Sequence, residues 1–225
     1  MKKNNGFTLA EILITLVVIG VISMMAIPTF MKAQQDKDIV SRLEVARSLL
    51  AQSTQMAESQ SGNIEAWPLF QMTNKDIFDT YYKPNLRIGI NCFASGSDCW
   101  SETHNFINDS LADGGAKYGI TGNSNNSFIL QDGMSVTLTK TNEIDDQLGV
   151  FSSLPTSIVF MVDVNGHGNP NQMGKDVFAF VLNEYGIIPA GSDNDSGNCQ
   201  KGSDLSDDYW DCSAKVLNDG KRDYM

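Results

Sequence analysis

The chain has 225 residues, which suits one folded domain with an appended segment better than several domains. Hydrophobic residues make up 41% of it and charged residues 19%, a balance that excludes wholesale disorder. The formal net charge is −11 and there is no extended run of basic residues. A nucleic-acid partner is therefore not expected, because binding to a phosphate backbone depends on cationic contacts.

A long apolar segment lies near the N-terminus. Twenty consecutive residues, from Ile12 to Met31, carry no charge. A helix of that length spans roughly 30 Å, which matches the hydrocarbon core of a bilayer. A buried core helix is the alternative, but such a helix usually has a polar face, and this segment has almost none. The pattern predicts a membrane-spanning helix.

The residues before the apolar segment differ from an ordinary secretory signal. Lys2 and Lys3 are followed by Gly6 and by Phe7-Thr-Leu-Ala-Glu11, and no small-residue cleavage site follows the apolar segment. Glu11 places a carboxylate at the edge of the span, where a charge costs free energy. Such a residue is expected to have a partner.

These residues resemble the class III signal of type IV prepilins and type II secretion pseudopilins, and the resemblance is strong over about residues 1–58. It implies that a prepilin peptidase cuts between Gly6 and Phe7 on the cytoplasmic side and that the new Phe7 amine is N-methylated. It also implies that Glu11 pairs with the Phe7 amine of a neighbouring subunit during filament assembly. Gly20 and Pro28 fall where many members have residues that weaken the helix.

Elementary electrostatics and helix geometry agree with those roles. A free amine at Phe7 would be a cation at the positive end of a helix dipole, which an anionic Glu11 can neutralise. Pro28 lacks an amide hydrogen and clashes with the preceding turn, and Gly20 weakens the helix further. A kink or local melting is expected between Met24 and Pro28.

The charges that flank the apolar segment favour the opposite orientation, because basic residues are usually enriched on the cytoplasmic side. Four basic residues follow the segment closely: Lys32, Lys37, Arg42 and Arg47. A six-residue leader, however, is too short to hold a folded domain, and four cysteines favour an oxidising compartment for the C-terminal part. The prediction is therefore a single-pass protein of the cytoplasmic membrane with its N-terminus inside, and later a periplasmic or cell-surface filament subunit.

The helical pattern continues beyond the apolar segment. Between Ile39 and Ala57 apolar residues recur at steps of three and four, so one face of this second half is apolar. By the resemblance, that face covers the sheet of a head domain; a short independent helix or a coiled coil is the alternative. Gly62, in the sequence Ser61-Gly-Asn63, predicts the end of the helix.

The remainder has the pattern of an α+β head. Thr73 and Asp76 predict the cap of a short helix that continues to Tyr82 and ends at Pro84. Residues 127–131 and 134–139 predict two strands joined at Asp132-Gly133, which is a strong hairpin signal. Residues 157–163 and 176–182 predict two more strands, and residues 209–218 have modest helical character.

The predicted fold class is therefore α+β and pilin-like. A long N-terminal helix, transmembrane in its first half and amphipathic in its second, packs on a small antiparallel sheet. The predicted divisions are a leader at 1–6, a transmembrane and assembly helix at 7–31, an amphipathic helix at 32–61 and a globular head at 62–225.

The four cysteines permit three disulfide connectivities. A zinc site is the competing explanation, but there is no Cys-x-x-Cys pair and neither histidine has the spacing of a zinc ligand, so disulfides are favoured. The short-range pairs Cys92–Cys99 and Cys199–Cys212 would close two loops that are poor in apolar residues. The second pair resembles the bridge that bounds the C-terminal loop region of many pilins.

The segment between the last two predicted strands is rich in glycines and in side chains that carry oxygen. Calcium takes about six to eight oxygen ligands, and Asp163-Val-Asn-Gly begins like a calcium loop without completing an EF-hand. The loop of type II secretion major pseudopilins that resembles this one binds calcium. The candidate ligands are Asp163, Asn165, Asn169, Asn171 and Asp176.

A turn-rich connection, in which Asp and Asn side chains cap their own backbone, is the alternative to calcium in this segment. A second acidic stretch extends from Asp193 to Asp208. It is expected to be solvated surface, with a second calcium site as its alternative.

Catalytic motifs are missing from the sequence, which has no G-x-S-x-G, no H-E-x-x-H and no Gly-rich phosphate loop. The sequence favours a structural subunit of a type IV pilus or a type II secretion-type pseudopilus, and not an enzyme. Its expected partners are other pilin or pseudopilin subunits, a prepilin peptidase, the inner-membrane assembly machinery and membrane lipid.

The alternative function is that of a membrane-anchored extracytoplasmic binding or adhesin domain, with or without calcium dependence. Glu11 separates the two functions, because a carboxylate in the span is useful to an assembling subunit and a burden to a simple anchor.

Overall fold

The computed structural model describes residues 8–93, 99–100, 126–141, 150, 152–154, 156–192, 199, 212–222 and 224. The chain divides into two compact units, Met1–Asp38 and Ile39–Met225. The first unit is helical wherever it is described beyond Thr8, and the second contains every strand found among the described residues.

Helix α1 extends from Leu9 to Ser61. Its N-terminal part is long and apolar enough to cross a membrane, by length and composition, and the residues of this apolar window are not buried in the isolated chain. The helix is continuous through Gly20 and Pro28, so the local melting expected near Pro28 is not present in this structure. Proline removes one backbone hydrogen bond, and the helix on both sides of it is retained. Gly62 follows the helix with a φ of 85°, a left-handed conformation that glycine adopts without strain.

The second half of α1 is amphipathic, as its sequence period predicts. Its buried residues recur at steps of three and four along one face of the helix. They are Ile39, Val40, Leu43, Ala46, Leu50, Ser53, Thr54 and Ala57.

One antiparallel sheet of six strands forms the centre of the second unit, and its strands are arranged in chain order. They are β1 (Ile88–Asn91), β2 (Ser127–Leu130), β3 (Ser135–Thr141), β4 (Ser157–Asp163), β5 (Val177–Asn183) and β6 (Gly186–Pro189). The structure confirms the α+β, pilin-like layout of a long N-terminal helix with an antiparallel sheet. Strands β2 to β5 correspond to the four predicted strands, whereas β1 and β6 were not predicted.

Apolar side chains cover both faces of the sheet. One face carries Val136, Phe160 and Phe180, which belong to the same buried cluster as Leu43 and Leu50 of α1. The other face carries a second cluster that includes Val159, Met161, Val181 and Trp100. Every residue of β4 and β5 is buried, which explains why both strands are nearly continuous apolar runs in the sequence.

Short helical segments accompany the sheet in the second unit. Helix α2 (Asn74–Ile77) begins with the predicted capping box between Thr73 and Asp76, and a π-helical turn (Phe78–Tyr82) continues it. Helix α3 (Cys212–Asp219) overlaps the predicted C-terminal helix, whose first residues, 209–211, lie outside the described part of the chain. A 3₁₀ turn (Ile64–Ala66) follows α1.

Two disulfides join the cysteines, Cys92 to Cys99 and Cys199 to Cys212. All four cysteines are buried. The second bridge lies at the start of α3 and holds that helix to a segment that precedes it by thirteen residues.

Leu43 provides a test of the packing between α1 and the sheet. It is fully buried, whereas Val45 on the same helix is 47% exposed. Leu43→Ala should lower the free energy of unfolding by about 2–5 kcal/mol, because it removes buried methyl groups and leaves a cavity. The matched control Val45→Ala should lower it by less than about 1 kcal/mol. Urea denaturation of a soluble fragment beginning at Gln34 measures both, and equal losses would contradict the packing described.

Candidate functional site

The N-terminus of α1 is held by a capping box between Thr8 and Glu11. The Glu11 Oε2 atom accepts hydrogen bonds from the Thr8 backbone N–H at 2.8 Å and from Thr8 Oγ1 at 2.9 Å. The Glu11 backbone N–H in turn donates to Thr8 Oγ1 at 3.3 Å. Sequence reasoning missed this role of Thr8, although Thr-x-x-Glu before an apolar run is the usual signature of such a cap. Gly6 and Phe7 lie outside the described residues.

Large apolar side chains are exposed along the first part of α1. Among them Ile19 is 60% exposed and Phe30 72%. A methyl group added at Gly20 would meet no atom within 4 Å, so the surface around this residue is open in the isolated chain. Continuous exposed apolar surface of this kind marks contact with lipid or with another protein.

The connection between β4 and β5 is built around two buried carboxylates, Asp163 and Asp176, both 0% exposed. The Asp176 carboxylate accepts hydrogen bonds from the backbone N–H groups of Asn171 at 2.8 Å and Gln172 at 2.6 Å. It also accepts one from Asn165 Nδ2 at 3.0 Å. The structure thus brings four of the predicted ligand residues into one network, because Asp163 Oδ1 accepts from the Asn165 backbone N–H at 3.1 Å.

The fifth predicted ligand, Asn169, is exposed and lies at the edge of this network. Its backbone carbonyl accepts a hydrogen bond from Asn165 Nδ2 at 3.3 Å. His167, in the same loop, is exposed as well. The second acidic stretch, Asp193 to Asp208, lies outside the described residues except for Cys199, and His104 also lies outside them.

Some buried oxygen atoms of this loop lack a hydrogen donor. Within the described residues, Asp163 Oδ2, Asn165 Oδ1 and Ser135 Oγ have no hydrogen-bond partner. Ser135 lies on β3 directly opposite Asp163 in the strand register. It was not among the predicted ligands, and a single serine in a strand gives no signal in the sequence. A buried polar atom without a partner costs about 1–3 kcal/mol, so this cluster of oxygens needs a physical explanation.

The surroundings of both carboxylates disfavour their ionised forms. Burial, and then the nearby Asp176 carboxylate, raise the pKa of Asp163 to about 8. Burial also raises the pKa of Asp176, and the hydrogen bonds that this carboxylate receives oppose the rise. A bound cation would offset both effects, because it favours the ionised form of each carboxylate.

The chemistry of this cluster restricts the kind of metal it can hold. Among the described residues, no three Asp, Glu, His or Cys side chains converge on one point. Two carboxylates together with amide, hydroxyl and carbonyl oxygens form a set that suits a hard cation such as calcium, not zinc.

The loop is also fastened to α1. Arg42 Nη1 donates a hydrogen bond to the backbone carbonyl of Val164 at 3.3 Å, and Val164 lies between Asp163 and Asn165 in the chain. The loop is therefore anchored on one side by the helix and on the other by the strands it connects.

Comparison with known protein families gives a match at the N-terminus. Residues 1–27 match the family model of the prokaryotic N-terminal methylation motif. The chain carries the class III signal of type IV pilins and pseudopilins. No curated protein and no solved structure matches the chain significantly.

The methylation motif has consequences for the residues already described. It implies processing by a prepilin peptidase and assembly into filaments, and it is typical of structural proteins, not enzymes. It contains the Thr8–Glu11 capping box and Gly20, and it ends one residue before Pro28. The motif thus covers most of the part of α1 whose apolar side chains are exposed, which continues to Phe30 and Met31.

The methylation motif predicts the N-terminus of the mature protein. Cleavage between Gly6 and Phe7 should leave a chain that begins with N-methylated Phe7 and has lost Lys2 and Lys3. Intact mass and N-terminal sequencing of membrane-extracted protein measure this directly. Gly6→Val should leave uncut precursor in the membrane, because the peptidase needs close access to the backbone there. Retention of Met1 in the wild type, or a cut beyond Met31, would contradict the prediction.

Proposed function

We propose that the protein is a structural subunit of a type IV pilus or a type II secretion-type pseudopilus, assembled through α1 after cleavage between Gly6 and Phe7. The observation that carries this proposal is the methylation motif at residues 1–27, which is continuous with a helix whose large apolar side chains are exposed. An exposed apolar helix is unstable in water, so it requires lipid before assembly and neighbouring helices afterwards.

The proposed path begins in the cytoplasmic membrane. The subunit spans it once, with its N-terminus inside, and then joins a periplasmic or cell-surface filament. Its partners are other pilin or pseudopilin subunits, the prepilin peptidase and the inner-membrane assembly machinery. This orientation places both disulfides in an oxidising compartment, where such bonds persist.

Glu11 has two partners in this proposal. In the isolated chain its carboxylate accepts from Thr8 of the same helix. In the filament it also pairs with the methylated amine of Phe7 from a neighbouring subunit. This additional pairing is favourable because a cation in an apolar environment is stabilised far more by a carboxylate than by neutral groups. Gly20 and Pro28 provide the positions at which α1 can unwind as the helices pack.

A membrane-anchored binding domain is the competing function. It uses the same apolar helix but has no use for a carboxylate in the span, which only adds a cost to insertion. The capping box reduces that cost without removing the charge. Variants of Glu11 therefore decide between an assembling subunit and an anchor.

Glu11→Gln is the sharpest variant, because its amide oxygen can still accept from Thr8 while its charge is gone. It should be processed and inserted normally, yet incorporate into sheared filaments at least about tenfold less well, because the Phe7 amine has lost its counter-charge. Thr15→Val is the matched control, since it removes a hydroxyl that donates only to the helix's own backbone at Ile12.

Immunoblots of membrane and sheared-filament fractions measure the effect of Glu11→Gln, with a strain that lacks the protein as the baseline. Normal incorporation of Glu11→Gln would refute the charge pairing. If Thr15→Val lost filament incorporation equally, the effect would be due to altered membrane insertion, and the charge pairing would also be refuted.

We further propose that the β4–β5 loop binds a calcium ion through Asp163, Asn165, Asn171 and Asp176, with Asn169 contributing from the edge. The support is the pair of buried carboxylates together with the donorless oxygens Asp163 Oδ2 and Asn165 Oδ1 among the described residues. A calcium ion supplies the positive charge that these acceptors lack. Its role is structural, since it would fix a loop that joins the two most buried strands.

Calcium should stabilise the folded head. Binding to the folded state alone adds about 2.7 kcal/mol at a hundredfold excess over Kd, so the melting temperature of a soluble fragment beginning at Gln34 should rise when calcium replaces chelator. Asp163→Asn should abolish the rise while melting no lower than the wild type in chelator, because its neutral amide is easier to bury. Glu65→Gln, an exposed acid outside the loop, should leave the rise intact. Identical wild-type curves in calcium and in chelator would refute the site.

A further inference from the structure

We infer that Ser135, on β3, supplies an oxygen ligand to the calcium ion proposed above. The cation site then extends across the sheet to a residue outside the β4–β5 loop. This inference rests on the proposed calcium site, and it adds a ligand that lies 28 residues before Asp163 in the chain.

The strand register places Ser135 beside the loop. Ser135 pairs with Asp163 across β3 and β4, and Asp163 pairs in turn with Val177 across β4 and β5. Side chains directly opposite each other in an antiparallel pair point to the same face, with Cβ atoms about 4.5–5.5 Å apart. The hydroxyl of Ser135 and the carboxylate of Asp163 therefore share one face of the sheet.

The hydrogen bonding of Ser135 differs from that of the next hydroxyl on the same face of β3. Thr137 Oγ1 forms a hydrogen bond with Ser127 Oγ at 2.7 Å, and Trp100 Nε1 donates to the same Ser127 hydroxyl at 3.1 Å. Ser135 is 0% exposed, and its Oγ has no partner among the described residues. The donorless hydroxyl is thus the one that faces Asp163, whose Oδ2 atom is also without a donor in that part of the chain. A buried, unpartnered hydroxyl that shares a sheet face with a buried carboxylate can serve as an oxygen ligand of a hard cation.

A close contact between two turns keeps Ser135 next to the loop. A Cβ atom at Gly166 would lie 2.3 Å from the carbonyl oxygen of Gly133 and 4.0 Å from Ser135 Oγ. Gly166 also has a φ of 65°, which side-chain-bearing residues rarely adopt. Only glycine at position 166 therefore lets the loop approach the β2–β3 hairpin this closely, and that approach places residue 166 beside Ser135.

Ser135→Ala separates a ligand role from a purely structural one. Loss of a ligand should raise the calcium Kd about tenfold, whereas loss of a donorless hydroxyl should leave the melting temperature in chelator unchanged or higher. A serine that only supports the fold would instead give a lower melting temperature in chelator and an unchanged Kd. Thr139→Val is the matched control. It removes a hydroxyl on the same strand, farther from the loop, and should leave the Kd unchanged.

The experiment uses the full chain in detergent micelles. Isothermal titration calorimetry with calcium chloride gives Kd, and thermal melting in chelator gives the stability of the metal-free protein. The inference is supported by a raised Kd for Ser135→Ala with undiminished metal-free stability. It is overturned if Ser135→Ala has the same Kd as the wild type. It is also overturned if Thr139→Val raises the Kd equally, or if the raised Kd of Ser135→Ala comes with a lower melting temperature in chelator. If the wild type itself binds no calcium, the proposed site fails and this inference fails with it.

Discussion

One uninterrupted helix has to be stable in two different environments, and the rest of the structure depends on this constraint. From Ile12 to Met31 its side chains are uncharged, nearly all apolar and mostly exposed, whereas from Ile39 to Ala57 one face is buried in the core of the head. The first part can be stable only where lipid or other helices replace water. The second part must bury enough apolar surface to hold the head together, which explains why its period is that of an amphipathic helix and the first part has almost no polar face.

Sequence patterns predicted the elements that local rules specify. The long helix, its end at Gly62, the Thr73 cap and strands β2 to β5 all have strong local signals in period, capping or turn chemistry. Strands β1 and β6 were missed because each has only four residues and contains glycine or proline, residues that signal turns. Their extended conformation depends on pairing with a neighbouring strand, which the sequence of a short segment cannot specify.

The candidate calcium site likewise combines residues that the sequence pattern predicted with one that it did not. Asp163, Asn165 and Asp176 were predicted from their spacing, because ligands that are close in sequence can be found by reading along the chain. Ser135 could not be found in that way, since only the register of β3 with β4 places it opposite Asp163. The burial of the two carboxylates could not be predicted from the sequence either. It arises because β4 and β5 are buried along their whole length, so the ends of the loop that joins them lie in the core. A buried pair of carboxylates is stabilised when hydrogen bonds, protons or a cation offset its charge, and the unpartnered oxygens beside it are the support for the cation that we propose.

The arrangement of the sheet in chain order has a consequence for how the head folds. Each strand pairs with the strand that precedes it, and two of these pairings, β2 with β3 and β5 with β6, are hairpins that close only a short turn. These two hairpins form at a small entropic cost, because the cost of closing a loop rises with its length. The contact between Arg42 and Val164 is different, since its partners are separated by 122 positions. Docking of the sheet onto the helix therefore closes a longer loop than either hairpin does, and we expect the two hairpins to form before it.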